Sequence, residues 1–99
     1  MNMINSLLIE GTLVPESLRK DSFRIATTKM YRKADGTSDT EYYAFTVLAH
    51  GALMDAVKEQ WQDGRGLRIV GALVSHGNSV CIHAEHIEFK PKKAERDAD

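Results

Sequence analysis

The 99-residue chain has the length of one compact domain, which excludes a two-lobed protein with a cleft between its domains. Apolar residues make up 42% of the sequence and charged residues 27%, which is typical of globular proteins and excludes a wholly disordered chain. The formal net charge of −1 gives the whole molecule no general attraction for nucleic acid, so such a function would need a local cluster of positive charge.

Three strands are predicted in the first half of the chain. Residues 4–14 are rich in branched apolar residues, and Gly11 favours a bend or bulge within this strand. From Phe23 onward, residues alternate with the period of two that a half-buried strand requires. Residues 34–40 collect Asp, Gly, Ser and Thr and form a turn, and a third strand follows over residues 41–51.

One helix and two further strands are predicted in the second half. Apolar residues recur every four positions over residues 51–64, which indicates a short amphipathic helix that ends at a glycine. Trp61 lies on the apolar face of this helix, so it is expected in the core. Alternation returns over residues 67–75, and a tight turn at residues 77–78 joins this strand to a last one over residues 79–90.

Five strands with one helix between the third and the fourth are the layout of the oligonucleotide/oligosaccharide-binding (OB) fold, an all-β barrel. A closed barrel also removes most strand edges, which suits so small a core. The sequence therefore predicts one barrel domain over residues 1–91. Residues 92–99 are charged and lack apolar anchors, so a mobile tail is expected there.

Cys81 is the one cysteine of the chain, and a single thiol cannot form an internal disulfide. This favours a reducing compartment, so a cytoplasmic location is expected. The apolar run at residues 7–9 is too short for a membrane span or a signal segment, so no membrane partner is expected.

Charges of opposite sign are segregated along the chain. Residues 1–33 carry six basic and three acidic groups, residues 34–63 carry one basic and six acidic, and residues 64–93 carry five basic and two acidic. Two strand regions that line one basic surface would produce this distribution, and an ordinary solvated surface explains it equally well.

Three stretches resemble bacterial single-stranded DNA-binding proteins in the same order along the chain. Asn5–Leu13 ("NSLLIEGTL") is similar to their first strand, and Phe23–Tyr31 ("FRIATTKMY") is similar to their second strand, which ends in a base-stacking aromatic residue. Residues 46–75 resemble their block of third strand, helix and fourth strand, including a Gly-x-Leu motif. The resemblance covers residues 4–90 and implies an OB fold that binds single-stranded DNA.

A second similarity is to the primosomal replication protein B branch of the same superfamily, a dimeric barrel used in replication restart. Cys81–Phe89 ("CIHAEHIEF") is similar to the "HAE-x-IE" run of that branch. The loop between the last two strands is reduced to "SHGNS", whereas the typical family member has a long loop with an aromatic stacking platform. The acidic, partner-recruiting tail of the typical family is replaced by "KKAERDAD", as expected of a shortened relative or of a truncated chain.

A protein that holds single strands needs flat side chains for bases and cations for phosphates. The resemblance places one stacking residue at Tyr31 and a second at Tyr42 or Tyr43, and the register leaves open which of these two is exposed. Simple alternation puts Tyr31 on the side of Phe23, so it also fits a position at the rim of the core. The candidate residues for nucleic-acid binding are Arg24, Lys29, Tyr31, Arg32, Lys33, Tyr42, Tyr43, His50 and Arg68.

The sequence does not favour a catalytic or metal-binding function. His83 and His86 are three positions apart on a predicted strand, which would turn them to opposite faces, and no Cys or carboxylate set lies at metal-ligand spacing. Neither a Ser/His/Asp order nor a phosphate-binding glycine loop is present. We therefore expect a protein that is not an enzyme and needs no cofactor.

Two functions fit these observations. The first is sequence-tolerant binding of single-stranded DNA in replication, recombination or repair by a homo-oligomer, either a dimer or a tetramer. The second is an oligomeric interaction module of a replication or primosome assembly, with weak affinity for nucleic acid. The basic residues around Tyr31 favour the first function, whereas the short loops and few aromatic residues favour the second. We favour the first.

Overall fold

The computed structural model describes residues 3–91, which form five strands and one helix, and the tail predicted at residues 92–99 lies outside the described residues. The elements are, in chain order, β1 (Leu7–Leu13), β2 (Ser22–Arg32), β3 (Ser38–Leu48), α1 (Gly51–Glu59), β4 (Gly66–His76) and β5 (Ser79–Phe89). The strands close into a barrel in the order β1-β2-β3-β5-β4. Only β3 and β5 are parallel neighbours within this barrel. The predicted five-stranded barrel with its helix between β3 and β4 is confirmed.

The core fills the barrel interior with side chains from alternate positions of each strand. Its fully buried members include Leu13, Phe23, Ile25, Val47, Leu67 and Ile69. The helix packs on this core through Met54 and Val57. Trp61 lies beyond the end of the helix, not on its predicted face, and it is partly buried against the same cluster, where it meets Phe23 edge to face with ring centres 6.3 Å apart.

β2 and β3 extend beyond the barrel as a two-stranded ribbon, which we define as residues 26–45. The two strands pair antiparallel from Ser22 opposite Leu48 to Arg32 opposite Ser38, while full burial on β2 ends at Ile25. Residues directly opposite each other in such a pair point to the same side of the sheet. The ribbon therefore has an inner face, which continues the core side, and an outer face, which continues the solvent side of the barrel.

Two glycines allow close backbone contact where the barrel closes. A Cβ atom on Gly11 of β1 would lie 2.6 Å from the carbonyl oxygen of Ala26 on β2. A Cβ atom on Gly71 of β4 would overlap the carbonyl oxygen of His83 on β5. Only a residue without a side chain fits at either position.

The ends of two elements differ from the sequence prediction. The helix ends at Glu59 rather than at Gly64, and the carbonyl of Gln60 accepts a hydrogen bond from Arg65 Nη1 at 3.0 Å instead of continuing the helical ladder. β1 begins at Leu7 rather than at residue 4, because the side-chain amide of Asn5 takes both bonds to the backbone of Leu73, at 2.8 and 3.0 Å. No helix among residues 3–91 is long and apolar enough to cross a membrane.

His83 and His86 point to the same outer side of the barrel, so the predicted opposite orientation is wrong. A register shift beside Val70 pairs that residue with His86, whereas the next residue of β4 pairs with Ala84. Glu85 is therefore one extra residue on β5, and it reverses the alternation between the two histidines. Among residues 3–91, no group of three or more His, Cys, Asp or Glu side chains is placed to hold a metal ion.

Candidate nucleic-acid interface

The outer face of the ribbon carries an exposed aromatic ring between two arginines. Tyr42 lies opposite Thr28 and is 79% exposed. Arg32 lies on the same face, and Arg24 lies on the solvent side of the adjoining barrel part of β2, so the two arginines flank Thr28 along the strand. A ring in this setting can stack on a base while the neighbouring guanidinium groups meet phosphates.

The outer face continues into a groove of about 840 Å³ that crosses β2 and β1 towards the start of β4. Small residues line its middle, among them Gly11, Thr12, Ala26 and Thr28. Tyr42 borders the groove on the β3 side, and Arg65 and Lys90 border it on the β4 side. An aromatic platform and two cations therefore lie at opposite edges of one open channel.

Arg65 is held in place by contacts that do not cancel its charge. Its Nε donates to the carbonyl of Lys90 and its Nη1 to the carbonyl of Gln60, both at 3.0 Å. The guanidinium carbon lies 5.0 Å from the ring centre of Phe89. Arg65 is therefore a positioned cation at the groove, although the sequence did not single it out.

Glu10 binds two cations at the groove through a single carboxylate oxygen. Its Oε2 accepts bonds from Arg68 Nε at 3.2 Å and Nη2 at 3.0 Å, and Lys90 Nζ lies 3.3 Å from the same atom. Arg68 Nη1 also lies 3.8 Å from Oε1 of Glu88. Arg68, a predicted phosphate-binding residue, is thus paired with the carboxylates of Glu10 and Glu88.

The Arg68 guanidinium, and then the Lys90 ammonium, hold the pKa of Glu10 below its ordinary value. An NMR titration of the Glu10 carboxyl is therefore expected to give a midpoint below that of glutamate in a short peptide. Because the folded-state pKa is lowered, the ion pairs of Glu10 are present at pH values above the ordinary pKa of glutamate. They are lost as the pH falls through the folded-state pKa. Arg68→Met should raise the midpoint, and a titration like that of the free peptide in the unaltered protein would contradict these contacts.

The inner face of the ribbon carries the other aromatic rings. Tyr43 and Phe45 stack with ring centres 6.3 Å apart and planes 19° apart, and they are 39% and 38% exposed. Tyr31 lies on this face too, with 38% exposure, and shares it with Lys29. The predicted alternation that places Tyr31 on the core side is confirmed, and it separates this ring from Tyr42.

Carboxylates border these inner rings. The hydroxyl of Tyr43 donates to Glu41, which raises the pKa of this tyrosine. The hydroxyl of Tyr31 lies 3.4 Å from Asp39. Negative charge beside both rings opposes the approach of a phosphate backbone, so the inner face is the less suitable of the two for nucleic acid.

The structure therefore divides the predicted site residues among several places. Arg32 and Tyr42 lie on the outer face, and Arg24 lies on the solvent side of the barrel that continues it, whereas Lys29, Tyr31 and Tyr43 lie on the inner face. Lys33 lies in the turn of the ribbon, 3.5 Å from Asp39. His50 precedes the helix beyond the far end of β3, with its ring centre 5.6 Å from that of His83. The basic count of residues 64–93 was the only sequence signal for the groove residues Arg65 and Lys90.

Several solved structures share this architecture. A Plasmodium falciparum single-stranded DNA-binding protein, solved in complex with single-stranded DNA, matches with a TM-score of 0.78 and 14% identity over 92% of this chain and 98% of that one. The protein PriB from Ralstonia solanacearum matches with a TM-score of 0.68 and 20% identity over 88% and 98% of the two chains. This chain has an OB fold.

The same OB fold occurs in a small single-stranded DNA-binding protein from Streptomyces coelicolor, with a TM-score of 0.66 and 20% identity over 90% of this chain and 96% of that one. No family model and no curated protein matches the chain. The predicted resemblance to single-stranded DNA-binding proteins and to primosomal replication protein B is thus confirmed for the fold.

Proposed function

We propose that the protein binds single-stranded DNA, without strong sequence preference, across the outer face of the ribbon and the groove beside it. The observation that carries this proposal is the position of Tyr42, which is exposed at one edge of a groove whose other edge presents the positioned cation Arg65. The OB-fold relative from Plasmodium falciparum, solved with single-stranded DNA, supports the same ligand class. OB folds also bind oligonucleotides on the face that their second and third strands form.

The binding mechanism follows from the chemistry of these groups. A base stacks on the ring of Tyr42, which accepts any base because every base has a flat π-face. The phosphates on either side meet Arg24, Arg32 and Arg65, and each contact releases counterions from the strand. Such a protein protects or presents single strands in replication, recombination or repair, and it performs no chemical step.

A fluorescence-anisotropy titration of a labelled dT oligonucleotide over a series of salt concentrations tests this function. We expect binding at low salt that weakens steeply as salt rises, because phosphate contacts dominate the affinity. Arg32→Ala, which removes an outer-face cation, should reduce the slope of log K against log salt by about 0.7. Lys29→Ala removes one charge from the inner face and should leave the slope nearly unchanged.

Absence of binding at low salt would contradict the proposal. The protein would then fit the second function, an interaction module for replication or primosome proteins. A larger loss from Lys29→Ala than from Arg32→Ala would instead move the binding surface to the inner face.

We also propose that the chain forms a homo-oligomer through the open side of β1. This strand pairs with β4 over Leu7–Thr12 but with β2 only at Thr12 and Leu13, so within the described residues its β2 side is largely without a partner strand. Exposed apolar side chains occur on β1, β4 and β5, namely Leu8 (64%), Leu73 (50%) and Val80 (66%). A free edge with apolar side chains nearby favours pairing with a second copy.

Size-exclusion chromatography with light scattering is expected to give at least twice the mass of one chain. Leu8→Glu should shift the protein towards the monomer, because a charge would enter an apolar interface along β1. Met30→Glu, which alters an exposed apolar residue on the ribbon, serves as the control and should not change the mass. A monomer at all concentrations would contradict the proposal.

A further inference from the structure

Glu10 is an acidic residue in a groove whose other charged lining residues, among residues 3–91, are Arg65 and Lys90. Its Oε2 lies within 3.3 Å of both the Arg68 guanidinium and the Lys90 ammonium. The three side chains are about half exposed, from 46% to 51%, so these contacts form at the surface, where a ligand can reach them.

The arrangement around this oxygen is the one that a phosphate oxygen would receive. Arg68 directs two N–H groups, from Nε and Nη2, to one anionic atom, and Lys90 adds a third donor to it. Guanidinium and ammonium groups bind carboxylate and phosphate oxygens with the same geometry. Arg68 and Lys90 are therefore already oriented for an anion, and Glu10 supplies that anion when no ligand is bound.

Exposed ion pairs of this kind contribute little to stability, so a carboxylate can be exchanged for another anion at small cost. Lys90 borders the same groove as Tyr42, and its backbone carbonyl accepts the hydrogen bond that positions Arg65. A strand that stacks on Tyr42 and crosses the groove would therefore bring phosphates to the position of the Glu10 carboxylate.

We propose that Glu10 competes with the nucleic-acid backbone for Arg68 and Lys90, which together form a phosphate subsite that the protein's own carboxylate occupies in the free state. This inference rests on the proposed binding of single-stranded DNA. Its effect is to weaken binding and to flatten the dependence on salt, because one carboxylate engages both cations and offsets part of their charge before any strand arrives. Glu10 is thus a residue that limits affinity rather than one that binds the strand.

The test is a titration of a labelled dT oligonucleotide at several salt concentrations with the unaltered protein and with Glu10→Gln. Glutamine keeps the size of the side chain and removes its charge, so Lys90 becomes available to phosphates and Arg68 keeps only its longer contact of 3.8 Å with Glu88. We expect binding that is about threefold to tenfold tighter at low salt, since an exposed pair is removed and not a buried one. The slope of log K against log salt should steepen by up to about 1.4, which is about 0.7 for each of two cations.

Asp55→Asn is the matched control, because it removes the same charge from an exposed position on the helix. It should change the affinity and the slope of log K against log salt much less than Glu10→Gln does. Lys90→Met should have a small effect in the unaltered protein, where Glu10 already neutralises this lysine, and should cancel much of the gain in the Glu10→Gln background. Circular dichroism melts verify that each variant is folded.

The outcomes separate this inference from the proposed function. Binding by the unaltered protein with no gain from Glu10→Gln, or with an equal gain from Asp55→Asn, overturns the role of Glu10 and leaves the function standing. No binding by either protein overturns both. Binding by Glu10→Gln alone supports the competing role and shows that the carboxylate suppresses the activity.

Discussion

Tyr42→Ala is expected to weaken binding of a dT oligonucleotide by about 1–3 kcal/mol, which is roughly fivefold to 150-fold, because one base loses its stacking platform. The fold should be unaffected, since the Tyr42 side chain is 79% exposed and lies outside the core. Anisotropy titrations at one fixed salt concentration measure the effect. Tyr42→Trp should retain or increase the affinity, because it keeps a flat ring at the same position.

Tyr43→Ala is the matched control for this change. It removes the same side chain from the adjacent residue, but from the inner face of the ribbon, where Glu41 holds the hydroxyl. We expect little change in affinity. A large loss for Tyr43→Ala with none for Tyr42→Ala would show that the nucleic acid lies on the inner face, against our assignment.

Gly71→Ala is expected to lower the free energy of unfolding by about 3 kcal/mol, the upper part of the range for overpacked sites. The new methyl group would overlap the carbonyl oxygen of His83, and this atom belongs to the backbone of the paired strand, so it cannot rotate away. β4 and β5 would have to move apart at this close backbone contact. Urea unfolding followed by circular dichroism measures the change.

Gly66→Ala provides the comparison in the same strand. Its new methyl group would lie 3.0 Å from Cδ of Lys90, which is part of a flexible side chain that can move aside. We expect a small change in stability, with the reduced freedom of the unfolded chain acting in favour of the variant. Equal unfolding midpoints for the two variants would disprove a special requirement for glycine at position 71.

The fold was predictable because local patterns and tertiary structure agree in this chain. Period-two alternation marks β2, β3 and β4, and the change to a period near four marks the helix. The turn at Gly77 and Asn78 also falls where predicted, and Gly77 has the positive φ of 63° that such a turn requires. The predicted helix end at Gly64 was wrong, because Arg65, which lies beyond the helix, donates a hydrogen bond to the carbonyl of Gln60.

The choice between Tyr42 and Tyr43 could not be made from the pattern. In the barrel, burial distinguishes the two faces of a strand, but the ribbon is exposed on both, so the apolar pattern carries no signal there. The pairing of Thr28 with Tyr42 settles the face of each ring. The same exposure explains why Phe45, which shares a face of β3 with the core residue Val47, remains 38% accessible.

The charged part of the site depends on contacts between distant positions. Glu10 and Arg68 are 58 residues apart in sequence, and Arg65 and Lys90 are 25 apart. The pairing of β4 with β1 brings the first two residues together, and the pairing of β4 with β5 brings the second two together, and neither contact has a local signature. The single extra residue at Glu85, which reverses the faces of His83 and His86, is likewise visible only in the strand register.

Substitutions in the ribbon affect its two faces separately. Along residues 26–45, even-numbered positions of both strands face outward and odd-numbered positions face inward. Each substitution there alters one surface and leaves the opposite surface chemically intact. The two sides can therefore diverge independently, and separation-of-function alleles should be common in this segment and rare inside the barrel, where every side chain shares the same neighbours.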